Sequence, residues 1–178
     1  MSTKETAKHG LIQSRKMIEG VIQGLKSDSD WFYRPAEKTN HAMWVIGHLA
    51  LADNMFASKF REETSNEPEG YKEMFWFGSE PTADQSRYPA VSEVLSYFRE
   101  RRENLLNVLE GLSDEELAAA GPPADAGGPL AGAPSMAQAF HFAAYHEGIH
   151  TGQMTVCHRG LGNPPMYKPE DVPAGEGA

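Results

Sequence analysis

Cysteine is almost missing from this chain: Cys157 is the only one among 178 residues. A single cysteine excludes an internal disulfide framework and a cysteine-rich zinc site. Long apolar runs are missing too. No stretch approaches the roughly 20 apolar residues that a membrane-spanning helix needs, so no membrane partner is expected. The opening residues, Met1 to His9, are polar and lack the apolar core of a secretory signal, which makes cytoplasmic residence the expectation. Basic charge is in deficit, and the formal net charge is −9. That balance argues against nucleic acid as a partner, because such binding rests on Lys and Arg neutralising phosphates. The one compact basic run, Arg99, Arg101 and Arg102, shares its segment with Glu100 and Glu103 and reads as a solvated helix face. Sustained alternation of apolar and polar residues, the mark of a half-buried strand, is also absent.

What is present is helical periodicity in four long segments. The first runs from about Lys4 to Leu25, with Leu11, Ile18, Val21, Ile22 and Leu25 as its apolar stripe. The second begins near Asn40, a good N-cap, and continues to about Arg61. Spacings of three and four place Trp44, His48, Leu51 and Met55 on one of its faces. The third runs from about Ser92 to Leu112 and carries Leu95, Phe98, Leu105 and Leu109. The fourth opens on Ser135 and Gln138, read as a capping box, and stops at Gly160 and Gly162. A short extra helix starts at the capping box Ser113-Asp114-Glu115-Glu116 and ends before Gly121-Pro122-Pro123. The expected fold is all-α, an antiparallel or mixed four-helix bundle with long crossover connections. The bundle should span residues 1–163, followed by a Pro- and Gly-rich tail at 164–178. No internal repeat is visible.

The connection from Glu62 to Tyr88 is long for a bundle, and loops of that length tend to be functional. It carries Tyr71, Met74, Phe75, Trp76 and Phe77. An aromatic cluster of this size either packs over the bundle or walls a ligand pocket or dimer contact.

The chemistry concentrates on the fourth helix, in His146-Glu147-Gly148-Ile149-His150. Histidines at i and i+4 lie one turn apart on one face, so both imidazoles can reach the same ion. Gln153 and Cys157 fall on nearly the same azimuth. A third histidine, His48, lies in the apolar stripe of the second helix. Alone it would read as a satisfied core histidine; beside an inward His-x-x-x-His pair it reads as a third ligand. Three imidazoles leave a coordination position for water or substrate, the layout of a catalytic site. His41 and Trp44, on the face that carries His48, are candidates for contacting substrate. His41 lies about 10 Å from His48 along the axis and cannot share its ion. His141 falls on the opposite side of its helix, and His9 and His158 lie near helix ends, where surface roles are expected.

His146-Glu147-x-x-His150 also matches the zinc metalloprotease signature, in which Glu147 would be the base. The extended signature needs glycine at position 153 and histidine at 156, whereas this chain has Gln153 and Val156. Glu170 is the downstream ligand on offer, and it lies in the tail. No strand is present to hold a peptide. Glu147 stands about 100° from His146 around the helix, so a salt bridge competes with a catalytic role. Gln153 is placed to bond a histidine or a metal-bound species. Cys157 reads as a small buried hydrophobe.

At these residues the chain resembles the DinB/YfiT-like superfamily of metal-binding helical bundles. The resemblance lies in Trp44-Val45-Ile46-Gly47-His48-Leu49 and in Tyr145-His146-Glu147-Gly148-Ile149-His150-Thr151-Gly152-Gln153, with a weaker match at Leu112-Ser113-Asp114-Glu115-Glu116-Leu117. It implies a four-helix bundle with a crossover, often a homodimer, and a divalent metal ion on His48, His146 and His150. Zinc and nickel both suit imidazole ligands. Relatives include thiol-dependent S-transferases and a mycothiol-dependent isomerase, and others are regarded as hydrolases. The implied function is a metal-dependent enzyme acting on a small-molecule substrate, with a low-molecular-weight thiol or water as nucleophile and Glu147 and Gln153 as candidate catalytic groups. The alternative is a non-catalytic metal-binding or sensing module.

Overall fold

The computed structural model describes residues 2–166; the proline-rich tail expected at 164–178 lies outside them from residue 167 on. Four long helices form the bundle: α1 (Thr3–Ile22), α2 (Ala42–Ser58), α4 (Val91–Gly111) and α6 (Gln138–Gly160). Two short helices, α3 (Tyr71–Phe75) and α5 (Asp114–Ala118), lie in the connections. Among the described residues there is no strand, and no helix is long and apolar enough to cross a membrane.

Pairwise contacts give the topology. Residues 14 and 15 of α1 meet Glu147, and Gly10 faces Ala144, so α1 and α6 run parallel. Asp53 meets Arg102 while Asn40, just before α2, meets Gln153, so α2 is parallel to α4 and antiparallel to α6. Lys4 bonds the end of α4 and Arg15 bonds Phe98, so α1 and α4 are antiparallel. The bundle is therefore mixed, with α2 and α4 joined by the long crossover at 59–90.

The helix ends follow from local chemistry with two exceptions. Ser2 and Ser113 form capping boxes with Glu5 and Glu116. Helix α2 is capped by His41 rather than the expected Asn40: the His41 Nδ1 accepts from the Trp44 N–H at 3.1 Å. The box expected at Ser135 and Gln138 does not form. Residues 135–137 are turned, and their backbone N–H groups are used elsewhere, Met136 to Ala119 O at 2.7 Å and Ala137 to Leu117 O at 3.0 Å. Docking onto α5 replaces side-chain capping at the start of α6.

The core has two apolar halves. One gathers Ile18, Val21, Val45, Ile46, Leu49, Val94 and Phe98; the other gathers Leu11, Phe56, Leu105, Leu109 and Phe140. Between them, every long helix contributes to one ionic layer. Arg102 donates to both Asp53 oxygens at 2.8 and 3.0 Å and to Glu147 Oε2 at 2.8 Å. Arg15 bridges the same two acids, reaching Glu147 Oε1 at 2.8 Å and Asp53 Oδ2 at 3.0 Å. Ser14 donates a further bond to Glu147. The reading of Arg99, Arg101 and Arg102 as a solvated face is thus corrected: Arg99 pairs with Glu19 near the surface, but Arg101 and Arg102 are buried. Arg102 follows Phe98 by four residues and precedes Leu105 by three, which is core spacing. Arg101 reaches Asn54 Oδ1 and Thr64 O and so ties the start of the crossover to α2.

The aromatic segment of the crossover divides by residue. Tyr71 and Phe75 are buried in the core, whereas Phe77 is 87% exposed. Phe75 lies flat against Gly47, where an added Cβ would come within 2.4 Å of its ring. Gly47→Ala should therefore destabilise the protein although alanine favours a helix by about 1 kcal/mol, because overpacking a dense core costs roughly 1–3 kcal/mol. A lower denaturant midpoint at unchanged slope is the expected result.

Candidate metal centre

Helix α2 carries His48 into the α2–α6 seam, and α6 presents His146 and His150 one turn apart on the facing side. The Nε2 of His146 lies 3.2 Å from that of His48 and 3.0 Å from that of His150. One ligand atom from each histidine falls within 4.8 Å of the others, a grouping that can hold a metal ion. Tetrahedral Zn–N bonds of about 2.05 Å place ligand nitrogens roughly 3.3 Å apart, close to the spacing seen.

Proton positions strengthen the fit. The His48 Nδ1 lies 2.9 Å from the Phe75 carbonyl, which only accepts, so Nδ1 carries the proton and Nε2 is a bare lone pair. The His150 Nδ1 donates in the same way to Gln153 Oε1 at 3.0 Å, and the Asn40 amide donates to that oxygen at 3.3 Å. Burial pushes the pKa of His48 and of His146 down to about 4 and lowers that of His150. The rings are therefore neutral at pH 7. Three nitrogens converge, and at most one of them, on His146, holds a proton. Converging lone pairs repel unless a cation lies between them, so the donor set suits a divalent ion bound by neutral imidazoles.

The surroundings hold this geometry. Trp44 stacks on His48 at 4.7 Å between centroids, and its indole N–H donates to Ser79 Oγ at 2.8 Å. Ser79 in turn bonds the Met74 and Trp76 carbonyls. Phe142 stacks on His146 at 5.8 Å. The crossover segment thus supplies the carbonyl that orients His48 and braces the indole that covers it.

The remaining candidates fall elsewhere. His41 is fully buried, with Nδ1 capping α2 and Nε2 donating to Thr82 O at 3.0 Å. Both ring nitrogens are used by the fold, which withdraws His41 as a substrate contact. Trp44 flanks the triad. Gln153 bonds His150 directly. The Glu147 carboxylate, considered as a catalytic base, is 0% exposed and engaged by Ser14, Arg15 and Arg102, so it faces the ionic layer. The salt-bridge expectation holds, so Glu147 does not face the histidines as a metalloprotease base would; Glu170, the downstream ligand on offer, lies outside the described residues. Cys157 is buried, as read from sequence, with its thiol toward Asn40 O. His158 is buried against Gly24 rather than on the surface. The sequence reading passed over Arg15, Asp53 and Asn54. Asp53 was findable as the lone acid in the apolar run from Ala42 to Ala57.

The sequence profile of the DinB superfamily matches residues 11–154, a span that includes all three histidines and most of the four long helices. The chain belongs to the DinB superfamily. Among curated proteins none matches it. Membership agrees with the all-helical fold, and this DinB protein places its histidine group at the α2–α6 seam, braced by the crossover.

Two consequences can be measured. Gln153→Leu removes the acceptor that fixes His150 and should weaken metal binding by roughly 10- to 100-fold, the usual cost of losing a partner behind a ligand; unchanged affinity in a chelator competition would remove Gln153 from that role. The second concerns His41, whose pKa burial lowers from 6.5 to about 4. Below pH 6.5 the unfolded chain takes up a proton that the folded state refuses, so this stabilisation is present above 6.5 and is lost as pH falls to about 4. The metal-free wild type should lose up to roughly 3 kcal/mol more over that window than His41→Asn, which keeps a capping side chain. Parallel stability curves would count against it.

Proposed function

We propose that this protein is a metal-dependent enzyme of the S-transferase or hydrolase type. His48, His146 and His150 would hold one divalent ion, zinc or nickel, and the nucleophile would be a low-molecular-weight thiol or water. The observation that carries this reading is the convergence of three neutral imidazole nitrogens that share at most one proton. When bound, such an ion lowers the pKa of a thiol or water and stabilises the anion formed.

The chain's own groups divide the remaining work. Phe75 O and Gln153 Oε1 keep the δ protons of His48 and His150 pointing outward, which leaves their Nε2 lone pairs for the ion. Trp44 and Phe142 cover two of the imidazoles and limit water around them. Gln153 also borders a cavity of about 270 Å3 formed with Lys38, Asn40, Val156 and Cys157. None of the three histidines lines that cleft; with its oxygen engaged by Asn40 and His150, the Gln153 NH2 group is left free to donate. Three protein ligands leave a coordination position open, which favours catalysis over a closed structural site.

Elemental analysis of the purified protein should find one divalent ion per chain in the wild type and none in His150→Ala, with both proteins folded by circular dichroism. In a screen of small thiols against electrophilic acceptors, turnover should be lost with the ion and return when zinc or nickel is restored to the wild type. Equal turnover in wild type and His150→Ala would sink the metal-dependent mechanism.

A further inference from the structure

The helices that carry the histidines are the two without a clear division into an apolar and a charged face. Helix α2 is buried on nearly every face, from Ala42 through Ala57. Helix α6 buries Phe140 and Met154 together with the smaller Ala139, Ala143 and Cys157, yet exposes Tyr145, Ile149 and Val156 at 65%, 44% and 56%. A hydrophobic driving force is non-directional; α2 has no polar face to set its rotation, and α6 divides its large apolar residues between buried and exposed positions, so burial alone fixes neither rotation sharply. Helices α1 and α4 differ. Each has an apolar stripe, Leu11, Ile18 and Val21 on α1 and Phe98, Leu105 and Leu109 on α4, and a charged opposite face. Amphipathicity sets their rotation.

The ionic layer joins these two kinds of helix in one sense only. The amphipathic helices supply the arginines, Arg15 on α1 and Arg102 on α4. The histidine-bearing helices supply the acids, Asp53 on α2 and Glu147 on α6. Arginine–carboxylate bonds are directional, and both acids and Arg102 are buried, so a rotated acid would leave a buried charge unpaired. Glu147 adjoins His146 in the chain, and Asp53 lies five residues beyond His48. Side-chain ends stand roughly 5–6 Å from a helix axis, so a 10° turn moves them about 1 Å. Metal–ligand distances tolerate only about 0.2 Å.

We propose that Asp53 and Glu147 are positioning residues for the metal centre: bound to Arg15 and Arg102, they fix the rotation of α2 and α6 so that His48 meets His146 and His150. The glutamate of the His-Glu-x-x-His motif then serves as a rotational anchor. This rests on the metal-binding reading above for its affinity arm, while a second arm needs no metal.

The test compares Glu147→Gln and Asp53→Asn with Leu109→Ala, a cavity variant in the other half of the core that touches none of the four charges. Zinc affinity is read by chelator competition at a temperature where all are folded, and coordination by the visible absorption of the cobalt(II) forms. The acid variants should bind zinc roughly 10-fold or more weakly, the scale seen when ligand support is lost, with altered cobalt bands. Leu109→Ala, although less stable, should keep wild-type affinity and spectrum. In metal-free protein, NMR contacts between the His48 and His146 rings, whose centroids are 5.1 Å apart, should persist in Leu109→Ala and fade in the acid variants. Wild type that binds no metal would defeat the metal reading alone, and the ring contacts would still decide the anchoring. Unchanged contacts in the acid variants, or equal losses in Leu109→Ala, would overturn it. Should an acid variant fail to fold, Arg15→Gln loosens both acids while leaving Arg102 in place, and the same outcomes apply.

Discussion

Two arginines and two carboxylates lie in the middle of the bundle, one from each long helix, and nearly every hydrogen-bonding position among them is filled. Burying four charges is costly, and Coulomb attraction repays it only when the geometry is good. Here each acid is held by both arginines, Ser14 adds a donor to Glu147, and the Arg15 guanidinium lies 3.4 Å over the Phe98 ring. Breaking one partner of such a set typically costs about 3–5 kcal/mol, because the charge left behind has no water to turn to. The layer therefore contributes less as net stabilisation than as a constraint. Apolar contacts in the halves above and below it are non-directional; the layer's directional bonds pair one residue from each helix at the same level.

In the proposed reading the candidate metal centre inherits that registration. Its histidines come from helices that pack antiparallel, and their nitrogens approach to 3.0 and 3.2 Å only in one relative setting. Fine orientation then comes from groups outside the bundle proper. The Phe75 carbonyl, delivered by the short helix α3, selects the tautomer of His48, and the close seat of Phe75 on Gly47 sets how near that carbonyl comes. Burial keeps the imidazoles neutral, the state in which they act as ligands. A structural layer, a backbone carbonyl and burial would thus each supply a different requirement of metal binding.

Several sequence expectations were redirected for one common reason: a side chain's role depends on what faces it. Arg101 and Arg102 resemble a surface run next to Glu100 and Glu103, but they meet Asn54, Asp53 and Glu147 from other helices. Glu147 fits a protease motif along the chain, yet its azimuth turns it toward α1 and α4. His41 has the spacing of a site residue and is instead a helix cap joined to Thr82. Ser135 has the pattern of a cap, but backbone bonds to α5 already serve the start of α6.

The four helices, the crossover connection, the capping box at Ser113 and the three histidines were all legible in the sequence, because periodicity, capping and ligand spacing are local properties written over a few residues. Asp53 inside an apolar run and Arg102 at core spacing were also visible, though neither shows its partner. Only the tertiary structure decided which acid meets which arginine, that Phe75 O fixes the His48 proton, and that Glu147 belongs to the ionic layer. Those pairings join residues 27 to 133 positions apart. They depend on the rotation and level of whole helices, and no local pattern along the chain encodes that.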